Sequence, residues 1–170
     1  FCMAGITQEI MSKIDNIVKD IFEGASPKPG KVDSKASYGE SSRTTWSSIA
    51  LNAFINDMIS RGCANKHLPP FFLTSPREFR EGLLAGLMDT DGSISISNGK
   101  KKPQLMANIS SNSLRLLMET EILCRSLGIK GRITASKTPA GNDCWIYTPS
   151  NYDISQWGGK YMVHPNKLEK

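Results

Sequence analysis

The sequence predicts a mixed α/β chain, of the α+β kind, in which helices alternate with pairs of antiparallel strands in the order αββαββα. Three observations carry this expectation. Four segments place apolar residues at helical spacing and end at or near a glycine: Gln8–Glu23, Ile49–Arg61, Pro76–Asp89 and Leu114–Leu127. Between and after them come short runs with strand character, above all the strict alternation Ser93-Ile94-Ser95-Ile96-Ser97 followed by Asn98-Gly99, a strong hairpin signal. Finally, the two halves of the chain echo each other at an offset of about a hundred residues.

Taken in order, residues 2–7 read as the end of a strand. The first helix follows, with Ile10, Ile14, Ile17, Val18 and Ile21 on one side and Gly24 as its stop. Residues 25–40, rich in Ser, Pro, Gly and Lys, suit a loop or an exposed hairpin, and Ser41–Ser48 a strand around Trp46. After the second helix, Lys66-His67-Leu68-Pro69-Pro70 is a stiff, extended linker. Ser75, Pro76 and Glu78 then form a start signal for the third helix, with Ser75 as cap and Glu78 completing a capping box. Gly92 stands just past that helix as its stop. Gln104–Ser110 is the return strand of the Asn98-Gly99 hairpin. Beyond the fourth helix, Ile129–Ser136 and Asp143–Thr148 form a second hairpin across Pro139–Asn142. A last helix over Tyr152–Tyr161, interrupted at Gly158-Gly159, leads into His164-Pro165-Asn166-Lys167.

The repeat is specific enough to set a domain plan. Cys2-Met3-Ala4-Gly5-Ile6-Thr7 parallels Leu105-Met106-Ala107-Asn108-Ile109-Ser110, Trp46 parallels Trp145, and Lys66 parallels Lys167. Residues 71–170 are then one complete unit, and residues 1–70 the later part of a first unit whose opening helix, first strand and acidic loop would lie upstream of Phe1.

Composition narrows the chemistry. The formal net charge of +5 over 170 residues, concentrated after residue 76, favours a polyanionic partner. No apolar run is long enough for a membrane helix. Cys2, Cys63, Cys124 and Cys144 lack CxxC spacing and have only His67 and His164 beside them in the inventory, which argues against a zinc site and for reduced thiols in an intracellular compartment (cytoplasm, nucleoid, organelle or nucleus). There is no nucleophile-elbow serine. The spacing from Asp89 to Gly92 excludes a calcium-binding EF-hand loop.

The central stretch is Leu84-Ala85-Gly86-Leu87-Met88-Asp89-Thr90-Asp91-Gly92. Gly82 and Gly86, four apart, leave a small face on which another helix can pack closely. The helix end presents carbonyl dipoles and the Asp91 carboxylate to one spot, a seat for a hard divalent cation. This stretch resembles the signature of the LAGLIDADG homing endonucleases, with Met88 and Thr90 as the two departures. The blocks Lys66-His67-Leu68-Pro69 and His164-Pro165-Asn166-Lys167 resemble the intein-type endonucleases of that family, whose single-chain members carry two motifs; splice-junction residues are not found.

The resemblance implies the homing-endonuclease fold, with saddle-shaped antiparallel sheets, and a site-specific, metal-dependent endonuclease acting on double-stranded DNA. It implies Asp91 as metal ligand with the Thr90 carbonyl beside it, Mg²⁺ or another divalent cation such as Mn²⁺ as cofactor, and catalytic lysines: Lys167 for the Asp91 half and Lys66 for the other. It implies DNA contacts from the hairpins, through Ser93, Ser95, Ser97, Lys100, Lys101, Lys102, Gln104, Arg132, Ser136, Lys137 and Tyr147, and in the first half Lys28, Lys31, Lys35, Tyr38, Arg43 and Thr45. A second LAGLIDADG helix, from another copy or from an upstream chain, would meet Gly82 and Gly86. The alternative is a maturase-like or degenerate member that binds DNA or RNA without cutting it.

Overall fold

The structure is a computed structural model, and it describes residues 2–6, 8–22, 26–31, 42–60, 62–97 and 104–162. The chain divides into two compact units between Asp57 and Met58. That division falls ahead of the expected boundary at residue 70. The reason is packing: Leu68 and Phe72, which follow the Lys66 linker, are buried in the core of the second unit.

The first unit runs β1 (Cys2–Ile6), α1 (Gln8–Ile21), β2 (Ser26–Lys31), β3 (Ser42–Ser47) and α2 (Ile49–Ile59). Its three strands are antiparallel in the order β1-β3-β2. Pro27 and Pro29 lie on β2, an edge strand, where a missing N–H breaks no ladder. Val18 of α1 and Leu51 of α2 are buried together, with Ile14, Phe22 and Ile55 against them.

The second unit is α3 (Arg77–Thr90), β4 (Gly92–Ser97), β5 (Gln104–Ser111), α4 (Leu114–Ser126), β6 (Gly131–Lys137), β7 (Asp143–Pro149) and α5 (Asn151–Trp157). This is the expected αββαββα order. Its four strands form an antiparallel sheet in the order β4-β5-β7-β6. The βαββα succession of the first unit equals the last five elements of the second, and β1-β3-β2 equals β5-β7-β6 strand for strand.

One sheet face and three helices enclose the core. Leu84, Ala85 and Met88 of α3, Ala107 and Ile109 of β5, Leu117 and Leu123 of α4, Tyr147 of β7 and Ile154 of α5 are all buried. Ser113 caps α4 by accepting the Leu116 N–H at 3.2 Å. Gly128 (φ 86°) closes that helix in the left-handed region. Ser150 caps α5, and Gly158 (φ 66°) ends it, so the expected helix to Tyr161 is one turn shorter.

The start of α3 differs from expectation as well. Pro76 occupies the cap and no side chain hydrogen-bonds there; the Ser75 hydroxyl donates instead to the Phe71 carbonyl at 3.0 Å, closing the turn before the helix. The Asn98-Gly99 turn lies outside the described residues.

Candidate metal centre and nucleic-acid face

The organising stretch folds as a helix end driven directly into a strand. The Asp91 N–H donates to the Leu87 carbonyl at 3.0 Å, completing α3, and the chain turns into β4 at Gly92. Gly92 is required there by space: a Cβ would stand 2.5 Å from the Met88 carbonyl oxygen and 2.7 Å from its Cα. Its backbone has no positive φ. The helix therefore stops at this glycine because only hydrogen fits against the turn below, not because of a left-handed cap. Gly82 and Gly86 behave oppositely, since a Cβ on either would meet nothing within 4 Å. The Thr90 hydroxyl turns back along the helix and donates to the Gly86 carbonyl at 2.9 Å.

The Asp91 side chain is 32% exposed and pairs with the Lys66 ammonium, Nζ to Oδ2 at 3.3 Å. Lys66 was expected to serve the other half of the protein; the fold brings it to Asp91 of its own unit, because the 66–72 segment packs there. Its counterpart Lys167 lies outside the described residues. His67 does not face this pair through its Nδ1, which donates to the adjacent Leu68 carbonyl at 2.8 Å.

The donor set fits half of an oxygen-ligated cation site. A partly exposed carboxylate sits at a helix C-terminus, whose dipole adds negative potential, and a side-chain cation already stands against it. Among the described residues no group of three or more His, Cys, Asp or Glu could hold a metal ion by itself. The remaining ligands would be backbone oxygen, water, phosphate or a partner.

At the other end of α3, Glu81 is buried and takes two cations: Arg77 Nε at 2.8 Å and Lys160 Nζ at 2.8 Å. The hydrogen bond from Lys160, reinforced by Arg77 against the opposing effect of burial, holds the Glu81 carboxyl below the usual range; the same pairing raises Lys160. This carboxylate is fully committed and locks α3 to the turn after α5.

The outward face of the sheet follows from strand register. Ser93 pairs with Asn108, Ser95 with Met106, Ser110 with Ile146, Thr134 with Ile146 and Arg132 with Thr148. Alternation puts these on the side away from the buried Ala107, Ile109 and Tyr147. The result is a mixed surface, with Ser, Thr and Asn side chains around Met106 and Ile146 and the exposed Arg132 near one edge. Ser93, Ser95, Arg132 and Ser136 lie on this outward face.

Tyr147 is a correction. It is 0% exposed, its ring stands where a Cβ on Gly131 would be, and the phenol is buried against Cys124; it faces the core and presents nothing to a nucleic acid. Burial also pushes the Cys124 thiol up to about 12. Lys137 is exposed at the end of β6 and paired with Asp143 at 2.8 Å. Ser97 and Gln104 hold paired strand positions, as do Lys28, Lys31, Arg43 and Thr45 in the first unit. Lys35, Tyr38, Lys100, Lys101 and Lys102 lie outside the described residues. Asn108, Ser110, Thr134 and Thr148 share the face, and the alternation through Met106-Ala107-Asn108-Ile109-Ser110 marks two of them.

Comparison with known proteins agrees with this architecture. Residues 78–155 match the family model of the LAGLIDADG-like domain. Among solved structures, the homing endonuclease I-DmoI in complex with DNA and Ca is similar with a TM-score of 0.67 and 11% identity, over 99% of this chain and 80% of that one. I-DmoI in complex with DNA and Mn gives a TM-score of 0.63 and 12% identity, over 96% and 81%. The N-terminal LAGLIDADG domain of WhiA gives 0.58 and 17% identity, over 99% and 75%. No curated protein matches at the level of sequence. At such identities these likenesses establish the fold. Residues 78–155 are thus a LAGLIDADG-like domain by the family model, within a chain that shares its fold with I-DmoI and the WhiA domain.

Proposed function

We propose that this chain is a divalent-metal-dependent endonuclease component that recognises double-stranded DNA with its sheet face and cuts it at Asp91. The single observation that supports this most is the Asp91–Lys66 pair: a half-exposed carboxylate and an ammonium meeting at the end of the motif helix, beside the polar sheet surface. I-DmoI, a protein of the same fold, is known in complex with DNA and Ca and with DNA and Mn.

Phosphodiester hydrolysis needs a positioned water, neutralisation of charge at phosphorus and stabilisation of the leaving oxygen, and a bound Mg²⁺ or Mn²⁺ supplies these together. In this reading Asp91 and the Thr90 carbonyl are the protein's ligands. Lys66 neutralises the phosphate that approaches Asp91. Ser93, Ser95, Asn108 and Ser110 read base edges in the major groove, while Arg132 and the hairpin lysines set register on phosphates. Lys167, from the segment after α5, is the second cation. The first unit contributes through Lys31, Lys35 and Arg43.

One carboxylate is half a site, so cleavage of both strands requires a second motif helix. Gly82 and Gly86, open on α3, are the surface for it, supplied by another copy or by an upstream chain. The second reading is a module that binds DNA or RNA without cutting, to which a lone motif carboxylate paired with Lys66 is equally suited.

The test is selection from a randomised duplex library with Mg²⁺ or Mn²⁺, scoring cut ends and bound sequences separately. Metal-dependent cutting lost by more than about 10²-fold in Asp91→Asn supports the endonuclease. Sequence-selective binding that persists in chelator, with no cut or nicked product from any assembly, supports the binding module. Cutting unchanged in Asp91→Asn removes Asp91 from the mechanism.

A further inference from the structure

Lys66 lies in a segment of no regular secondary structure, between the turn at 62–65 and the buried Leu68. A lysine there has four side-chain torsions and a loose backbone, and would sample a wide volume. Its ammonium nevertheless meets Asp91. What holds it is the short corner between β5 and α4. The Ser113 hydroxyl donates to the Lys66 carbonyl at 2.6 Å, and Glu119 of α4 accepts the Leu68 N–H at 2.6 Å. The segment is thus pegged on both sides of His67.

The same corner also holds the other member of the pair. The Ser110 N–H donates to the Asp91 carbonyl at 3.3 Å, beside the Gly92–Ile109 pairing of β4 with β5. Ser111 Oγ in turn accepts the Ser113 N–H at 3.1 Å. Residues 110–113 therefore grip the backbone of Asp91 with one end and that of Lys66 with the other. Ser113 is 0% exposed and already has a task, accepting the Leu116 N–H as the cap of α4. An N-cap needs only an acceptor; the outgoing proton to Lys66 is a separate function of the same hydroxyl.

We infer that Ser113 is a positioning residue: its hydroxyl fixes the Lys66 backbone at the point from which the ammonium reaches the Asp91 carboxylate, with Glu119 as the second peg. The inference rests on the reading of Asp91 and Lys66 as the reactive pair, but its claim is geometric and is tested without DNA or metal.

The experiment is NMR of the lysine Nζ–Hζ groups in the full chain, the Lys66 signal being assigned by its loss in Lys66→Met. The readout is the shift that Asp91→Asn produces at Lys66. Ser113→Gly puts a residue that helix N-caps tolerate at the start of α4 while removing the hydroxyl. In that background the Asp91-dependent shift at Lys66 is expected to fall by more than half, and in Ser113→Thr to persist. Far-ultraviolet circular dichroism confirms that each variant is folded. Should Ser113→Gly not fold, Glu119→Ala removes the other peg and is expected to reduce the shift, whereas Glu119→Gln, which can still accept from Leu68, preserves it.

A full Asp91-dependent shift in folded Ser113→Gly, or in folded Glu119→Ala where Ser113→Gly does not fold, overturns the inference. So does a wild-type Lys66 signal indifferent to Asp91→Asn. The first result leaves the endonuclease reading untouched; the second also removes the Asp91–Lys66 pair that supports that reading most, and the cleavage test decides the reading separately. Conversely, a chain that never cuts DNA can still show the coupling.

Discussion

The two ends of α3 each carry a carboxylate paired with a lysine distant in sequence, and the two pairs are built differently. Glu81 has a side chain 5% exposed and receives two cations at 2.8 Å, one from its own helix and one from the turn after α5. Asp91 has a side chain 32% exposed and, among the described residues, a single ion-pair partner at 3.3 Å, itself 44% exposed. The first arrangement leaves no capacity for a ligand and fastens the helix into the unit. The second leaves capacity on the carboxylate and on the ammonium, and faces solvent beside a polar sheet. One helix thus carries a committed carboxylate and an accessible one, about three turns apart.

Neutralising each carboxylate tests that separation, and the largest effect is expected on the proposed activity. Asp91→Asn should abolish metal-dependent cleavage, by more than about 10²-fold, with little change in melting temperature, because an exposed pair contributes roughly 0–1 kcal/mol. Glu81→Gln should do the reverse, lowering the melting temperature more than Asp91→Asn does. A Glu81 variant as stable as the wild type, or an Asp91 variant that unfolds, would erase the distinction.

The same contrast appears in the motif's glycines, as a smaller effect. Gly92→Ala forces a Cβ against the rigid Met88 backbone and should destabilise by about 1–3 kcal/mol in chemical denaturation. Gly86→Ala meets open space within a helix, so it should stabilise the isolated chain by about 0.5–1 kcal/mol through helix propensity while weakening association of motif helices. Sedimentation and denaturation measured on one preparation check both halves of that statement.

Acidity gives a subtler difference. Glu81 is depressed below its ordinary 4.5, so its stabilising contribution is present above that pH and is lost as the pH falls through its lower folded value. Lys160 is raised above 10.5, so its contribution is present below that pH and is lost as the pH rises through the folded value. The stability gap between wild type and Glu81→Gln should therefore be flat between these limits and close outside them.

Much of this was legible in the sequence where the signal is local. The glycines and carboxylates of α3, the Ser–Ile alternation of β4 and the order of elements are all short-range patterns. What depends on register or on distant packing was not. Cys144-Trp145-Ile146-Tyr147 is apolar throughout, so its period names no face; the pairing of Tyr147 with Ile133 and Ile109 decides that the phenol is inside. Ser75 carries the chemistry of a cap but spends its hydroxyl on Phe71. Lys66 was assigned by analogy to the other half, because nothing in a linear reading shows that Leu68 and Phe72 belong to the second core.

The role of Asp91 can be measured without knowing a target sequence, by replacing the cation with Fe²⁺ and generating hydroxyl radicals with ascorbate. A cation held by Asp91 should cut the polypeptide backbone within a few residues of position 91, the cut being suppressed by excess Mg²⁺ and absent in Asp91→Asn. Scission elsewhere, or the same scission in Asp91→Asn, would contradict a cation seat at the end of α3.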